Sequence, residues 1–109
     1  MNKHLNEIIT LVEDKKVPVL ASYDVTLLST FADVFVIAIA SNDRQINAVM
    51  QEMKDYATLN GSDSFHSEGD PKEGWVAIQH NEVCVHIFLE GEHDKYRLDE
   101  LFKACPKIS

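Results

Sequence analysis

The sequence predicts a mixed α/β fold: a mostly antiparallel sheet of about five strands with flanking helices, in the order α-β-β-α-β-β-β-α. Three observations predict it. The run Val34–Ala40 is seven residues without a polar side chain. Alternate residues of a strand face opposite sides, so such a run describes a strand covered on both faces, inside a sheet. Two stretches, near the N-terminus and after Asn42, carry apolar residues at helical spacing. Two short apolar stretches, Trp75–Gln79 and Val83–Leu89, flank His80-Asn81-Glu82, which reads as a hairpin turn.

The elements follow in order. Leu5, Ile8, Ile9 and Val12 recur at i, i+3, i+4 and i+7, one face of a helix over about Asn2–Asp14. Lys15 and Lys16 suit its C-terminal dipole, and Val17-Pro18 ends it. Val19–Val25 is a strand. Its link to Val34–Ala40 is too short for a parallel crossover, so the two run antiparallel. Val34–Ala40 is taken as the central strand. The second helix covers about Asp43–Leu59, with Asn42 as N-cap, Gln45 completing a capping box and Asn60-Gly61 as the stop. Ile46, Val49, Met50, Met53 and Ala57 form its buried stripe. Ser64–Glu68 is a short strand, and Glu68–Gly74 a loop by composition. Asn81 suits the left-handed position of the hairpin turn. A last helix is expected over about Asp94–Cys105, with Leu98, Leu101 and Phe102 on one side and Pro106 as its stop.

A chain of 109 residues is expected to form one domain. No apolar run approaches the ~20 residues of a membrane helix. The first residues lack a signal-peptide core, which makes a cytoplasmic address the expectation. Cys84 and Cys105 are too few for a disulfide framework, and Cys84 falls in an apolar strand pattern, as a buried thiol does. The net charge is −8, with only 10 Lys and Arg. Nucleic-acid binding draws on cations meeting phosphates, so direct readout of RNA or DNA is disfavoured. A basic protein partner suits the charge better, because complementary fields speed encounter.

No strong catalytic signature appears. The glycines form no phosphate-binding loop, the histidines show no helix-spaced pair and there is no C-x-x-C, so neither cofactor nor metal is expected. His80 and His86 lie on the two arms of one hairpin, which leaves a weak alternative of a shared metal. Asp24 and Asp33 bracket the link between the first two strands and could approach one another, but no D-x-D or D-x-E accompanies either, and Asp33 reads as a cap or brace of the turn before Val34–Ala40. His86 shares a strand face with Cys84 and Phe88, and reads either as a hydrogen-bonded core histidine or as a polar group in a recognition surface. Trp75, the sole tryptophan, begins a strand after a loop. That position suits core packing and also an interface anchor.

With these segments laid out, the chain resembles the ribosomal silencing factor family, also called Iojap-like proteins, over about Val19–Phe102. The stretch Ser22–Ala38 is similar to that family's "L-D-V … L-S-x-x-A-D-Y-F-V-I-A", and Asp43-Arg44-Gln45 to its "S-D-R-Q". Glu68-Gly69, Trp75-Val76 and Val83–Phe88 are similar to "E-G … W-V … V-V-V-H-I-F", and Tyr96–Phe102 to "Y-x-L-E-x-L-W". Four weak motifs in the right order make a strong joint signal. The chain departs from the pattern at Val34, Ile39-Ala40-Ser41, Gln79, Asn81 and Phe102.

The resemblance implies a non-enzymatic role on a fold related to nucleotidyltransferases without their catalytic carboxylates. It implies binding to a basic protein, the one numbered fourteen, on the intersubunit face of the large ribosomal subunit, and a steric block of subunit joining that damps translation. Carried over by motif, Trp75, His80, His86, Phe88, Tyr96 and Leu101 surround the contact. Glu90, Glu92, Asp94 and Glu100 form an acidic rim. Two competing readings are a small nucleotide-handling protein using Asp24 and Asp33, and a homodimeric adaptor with no ribosomal role.

Overall fold

A computed structural model describes residues 3–26, 32–61, 65–91 and 105–108. The expected final helix, and with it Glu92, Asp94, Tyr96, Glu100 and Leu101, lies outside the described residues. Within them are two helices, α1 (Lys3–Asp14) and α2 (Asp43–Leu59), and five strands. The strands are β1 (Val19–Asp24), β2 (Val34–Ala40), β3 (His66–Asp70), β4 (Trp75–His80) and β5 (Val83–Leu89). A short 3-10 turn, Pro71–Glu73, joins β3 to β4.

The five strands form one sheet in the order β1-β2-β5-β4-β3. Every neighbouring pair is antiparallel except β2 with β5, which is parallel. Val34–Ala40 is therefore an interior strand, as its apolar run requires. The middle of the sheet, however, is β5, a correction to the reading of β2 as the centre. The reason is visible in β5 itself: its alternate positions include Cys84 and His86, so it reads as less apolar than β2 although it has a strand on each side. Helix α2 carries the chain from β2 to the far edge, where β3 runs in the same direction as β2 with two strands between them.

Both helices pack on one face of the sheet. Leu5, Ile8 and Val12 from α1 and Ile46, Val49 and Met53 from α2 are at most 1% exposed. They meet Val36, Ala38, Val76, Ile78, Val85 and Ile87 of the sheet in one core cluster. Each such buried aliphatic side chain stabilises the fold by roughly 1.5–3 kcal/mol. The boundaries of α2 are chemical. The Asn42 side chain accepts a hydrogen bond from the Gln45 backbone N–H at 2.9 Å, and the Gln45 carbonyl oxygen Oε1 accepts from the Ser41 N–H at 2.8 Å. At the other end the Asn60 N–H donates to Tyr56, and Gly61 turns left-handed with φ 63°. Helix α1 stops where Lys16 takes φ 64°, just before Val17-Pro18.

The chain near the C-terminus returns to the outer edge of β1. The Asp24 N–H donates to the Pro106 carbonyl at 2.8 Å, the Ile108 N–H donates to the Ser22 carbonyl at 2.7 Å, and Tyr23 bridges to Lys107. The edge of the sheet is thereby paired rather than bare.

Candidate partner-binding face

The second face of the sheet carries the aromatic and polar residues that the sequence singled out. Strand register arranges them in rows. Glu68, Ala77, His86 and Ile37 stand side by side across β3, β4, β5 and β2. Flanking rows are Asp70, Trp75, Phe88 and Ile39, and His66, Gln79, Cys84 and Phe35. Ala77 is the small member at the centre of the β3–β5 part of this grid. A cavity of about 410 Å³ opens around it, lined by Trp75, Gln79, Cys84 and His86 with His66 and Glu68 on the β3 side.

His86 is tied into this face from three directions. The Trp75 indole Nε1–H donates to His86 Nδ1 at 3.3 Å, with the two ring planes 14° apart. His86 Nε2 lies 3.6 Å from Cys84 Sγ. Phe35 approaches the imidazole edge-on, with centroids 4.5 Å apart. An indole nitrogen can only donate, so Nδ1 must present a lone pair, and the neutral ring then carries its proton on Nε2, pointing at sulfur. Burial pushes the His86 imidazole down to about 4. Burial, followed by the Glu68 carboxylate, pushes the Cys84 thiol up to about 12. The pair is therefore neutral near pH 7, and Cys84 is an inert buried thiol.

A backbone contact shapes the rim. Gly69 has φ 98°, and a Cβ there would collide with the Trp75 carbonyl oxygen and crowd Val76 Cα. Gly69 is thus required by close packing of β3 on the start of β4. Glu68 in turn accepts a hydrogen bond from His66 Nε2 at 2.9 Å on the exposed side of β3. Glu68, Gln79 and Cys84 are lining residues that the sequence reading did not assign to the site. The period-two pattern that placed Cys84 beside His86 was the signal available for it.

The structure does not bring His80 to this face. His80 ends β4 on the helix side, is fully buried, and sits edge-on to His4 and Tyr56 with centroids 5.2 and 5.1 Å away. Burial and the nearby His4 lower its basicity, against the pull of Glu82. This corrects its assignment to the partner contact: residues 80 and 86 are both even-numbered, but the turn at Asn81-Glu82 pairs His80 with Val83, placing His80 with Val83 and Val85 on the helix side. It also removes the notion of a His80–His86 metal site. Phe88 is on the second face but only 2% exposed, packed with Val25 and Ile37. Trp75 and His86 are half-buried, and Glu90, beyond β5, is exposed. Asp24 is engaged locally: its carboxylate accepts from the Thr26 N–H and hydroxyl at 3.0 and 2.8 Å, which holds it below its ordinary pKa. Among the described residues no three His, Cys, Asp or Glu side chains converge as metal ligands. No described helix is long and apolar enough to cross a membrane.

Sheet order, helix packing and this aromatic face define a small mixed α/β protein with helices on one side of a five-strand sheet. Residues 1–109 match the family model described as "Ribosomal silencing factor during starvation". The ribosomal silencing factor of Bacillus subtilis (strain 168) is 32% identical over 94 residues, covering 86% of this chain and 80% of that protein. That of Halalkalibacterium halodurans is 29% identical over 100 residues, covering 92% and 86%. A crystal structure of a Bacillus halodurans protein superposes with a TM-score of 0.79 at 28% identity, covering 99% of each chain. One from Chromobacterium violaceum, at 23% identity and a TM-score of 0.78 over 94% of this chain and 88% of that one, shares the fold. The chain belongs to the ribosomal silencing factor family.

Proposed function

We propose that this chain binds the large ribosomal subunit in the cytoplasm, through the basic protein numbered fourteen on its intersubunit face. Bound there, it blocks joining of the small subunit and so represses translation. The observation that carries the reading is the family match along all of residues 1–109. The physical chemistry is consistent with it. A net charge of −8 favours a basic protein surface over nucleic acid. The second sheet face offers a half-buried tryptophan beside a cavity, the kind of feature that anchors an interface. Trp75 and His86 form the centre of the contact, with exposed Glu90 on its acidic rim. Phe88 supports the face from beneath. Tyr96 and Leu101 extend it by their place in the family motif, and Glu92, Asp94 or Glu100 continue the acidic rim.

Blocking subunit joining demands no chemistry from the protein, only bulk in the wrong place. The test is light scattering of purified ribosomal subunits with and without the protein. The expected result is suppressed joining at saturating protein, with the protein sedimenting with large subunits. Normal joining at saturating dose overturns the proposal.

A further inference from the structure

We infer that His86 is a positioning residue: its neutral ring, with Nδ1 left as an acceptor and Nε2 turned toward Cys84, holds the Trp75 indole in place beside the cavity. The role assigned to that indole rests on the proposed function; the relay itself does not. The geometry makes the relay directional. Trp75 Nε1–H donates to His86 Nδ1 at 3.3 Å, and His86 Nε2 reaches Cys84 Sγ at 3.6 Å. Because the indole nitrogen cannot accept, only the tautomer with its proton on Nε2 satisfies both contacts. The Cys84 sulfur then stands where it can accept the Nε2 proton, in a residue that is 3% exposed.

A second proton on His86 would put an N–H on Nδ1, facing the indole N–H. Two donors cannot share a hydrogen bond, so the indole loses its partner. A positive charge also appears beneath a face suited to a basic protein. Among the described residues, the groups facing this ring are few. From β5 there is Cys84, whose thiol is neutral; from β3, across Ala77, there are Glu68 and His66; β4 and β2 present Trp75, Gln79, Phe35 and Ile37, none of them charged. Burial drives the imidazole down to about 4, so the holding state prevails near neutral pH.

Trp75 is the sole tryptophan, so its fluorescence and its single indole N–H resonance report on this contact alone. In the wild-type chain at pH 7.5, the indole proton should exchange roughly tenfold or more slowly than an exposed indole. On acidification Trp75 emission should change in one step below pH 6, while far-UV circular dichroism still shows the folded protein. His86→Asn keeps an acceptor near the Nδ1 position and cannot titrate; it should retain the wild-type emission maximum and lose the step. His86→Leu removes the acceptor and should shift the maximum at pH 7.5. An indole proton exchanging as fast as in free solvent, measured on the wild type, overturns the inference even if no variant folds. So does a pH step that survives in His86→Asn, which would assign it to Glu68 or His66.

Large-subunit pelleting then separates the two proposals. If the wild type binds, His86→Leu should bind more weakly than His86→Asn, and equal binding of the two would detach the relay from docking. If the wild type does not bind, the proposed function falls, and the spectroscopic result still decides the relay.

Discussion

Three residues show how the face is built and what would break it. At Gly69, φ 98° and the nearby Trp75 carbonyl leave no room for a Cβ. Gly69→Ala should therefore cost about 1–3 kcal/mol from strain, and more where the β3–β4 backbones must part. Urea unfolding with an unchanged slope and a lowered midpoint is the measurement. Trp75→Ala should weaken large-subunit binding by about 2 kcal/mol or more while the protein stays folded; unchanged affinity would remove Trp75 from the contact. His86 gives a pH dependence whose sign is fixed. Its folded pKa of about 4 lies below the ordinary 6.5. Between those values the unfolded chain takes up a proton that the folded chain refuses. Stability is then complete above the ordinary value, falls as the pH drops through this window, and levels off below the folded value. The loss is on the order of 3 kcal/mol, with His80 acting in the same direction. Urea unfolding at pH 7.5 and 4.5 should show the drop, and His86→Asn should reduce it.

Among the helices and strands, legibility followed local chemistry. Helix α2 was readable to its ends because Asn42, Gln45 and Asn60-Gly61 are themselves the capping groups. Asn42→Ala should accordingly cost about 1 kcal/mol, measured as a lowered thermal or urea midpoint. Strand β5 was readable to its ends, and β1 to within a residue. Strand β3 was placed at Ser64–Glu68 but runs His66–Asp70. All five of its residues are exposed, so no apolar alternation marks it; it exists because Gly69 allows it to approach β4. The parallel pairing of β2 with β5 had no local signature, since it joins segments separated by α2, β3 and β4. The site was legible in part. Trp75 and His86 do meet, because alternation along β5 and the hairpin at Asn81, with φ 52°, fix which residues oppose each other. His80 was misplaced because its side of the sheet depends on how that turn pairs with β5.

For the molecule as a whole, the proposed function makes charge the determinant of the encounter with the ribosome. With a net −8 and the basic target proposed above, the association rate with large subunits should fall as salt is raised from low ionic strength through the physiological range. Stopped-flow measurement across that range is the check, and a salt-independent rate would count against an electrostatic approach. The fold does not depend on that charge; it rests on the apolar layer between the helices and the sheet.

The single parallel ladder also sets a timetable. β1 joins β2, and β3, β4 and β5 join one another, through nearest-neighbour returns of the chain. Only β2 meeting β5 unites them, and the loop it closes contains an entire helix and two strands. Closing that loop costs more chain entropy than any other strand pairing of the five-strand sheet, so the search of Val34–Ala40 for Val83–Leu89 should weigh on how fast a new copy matures.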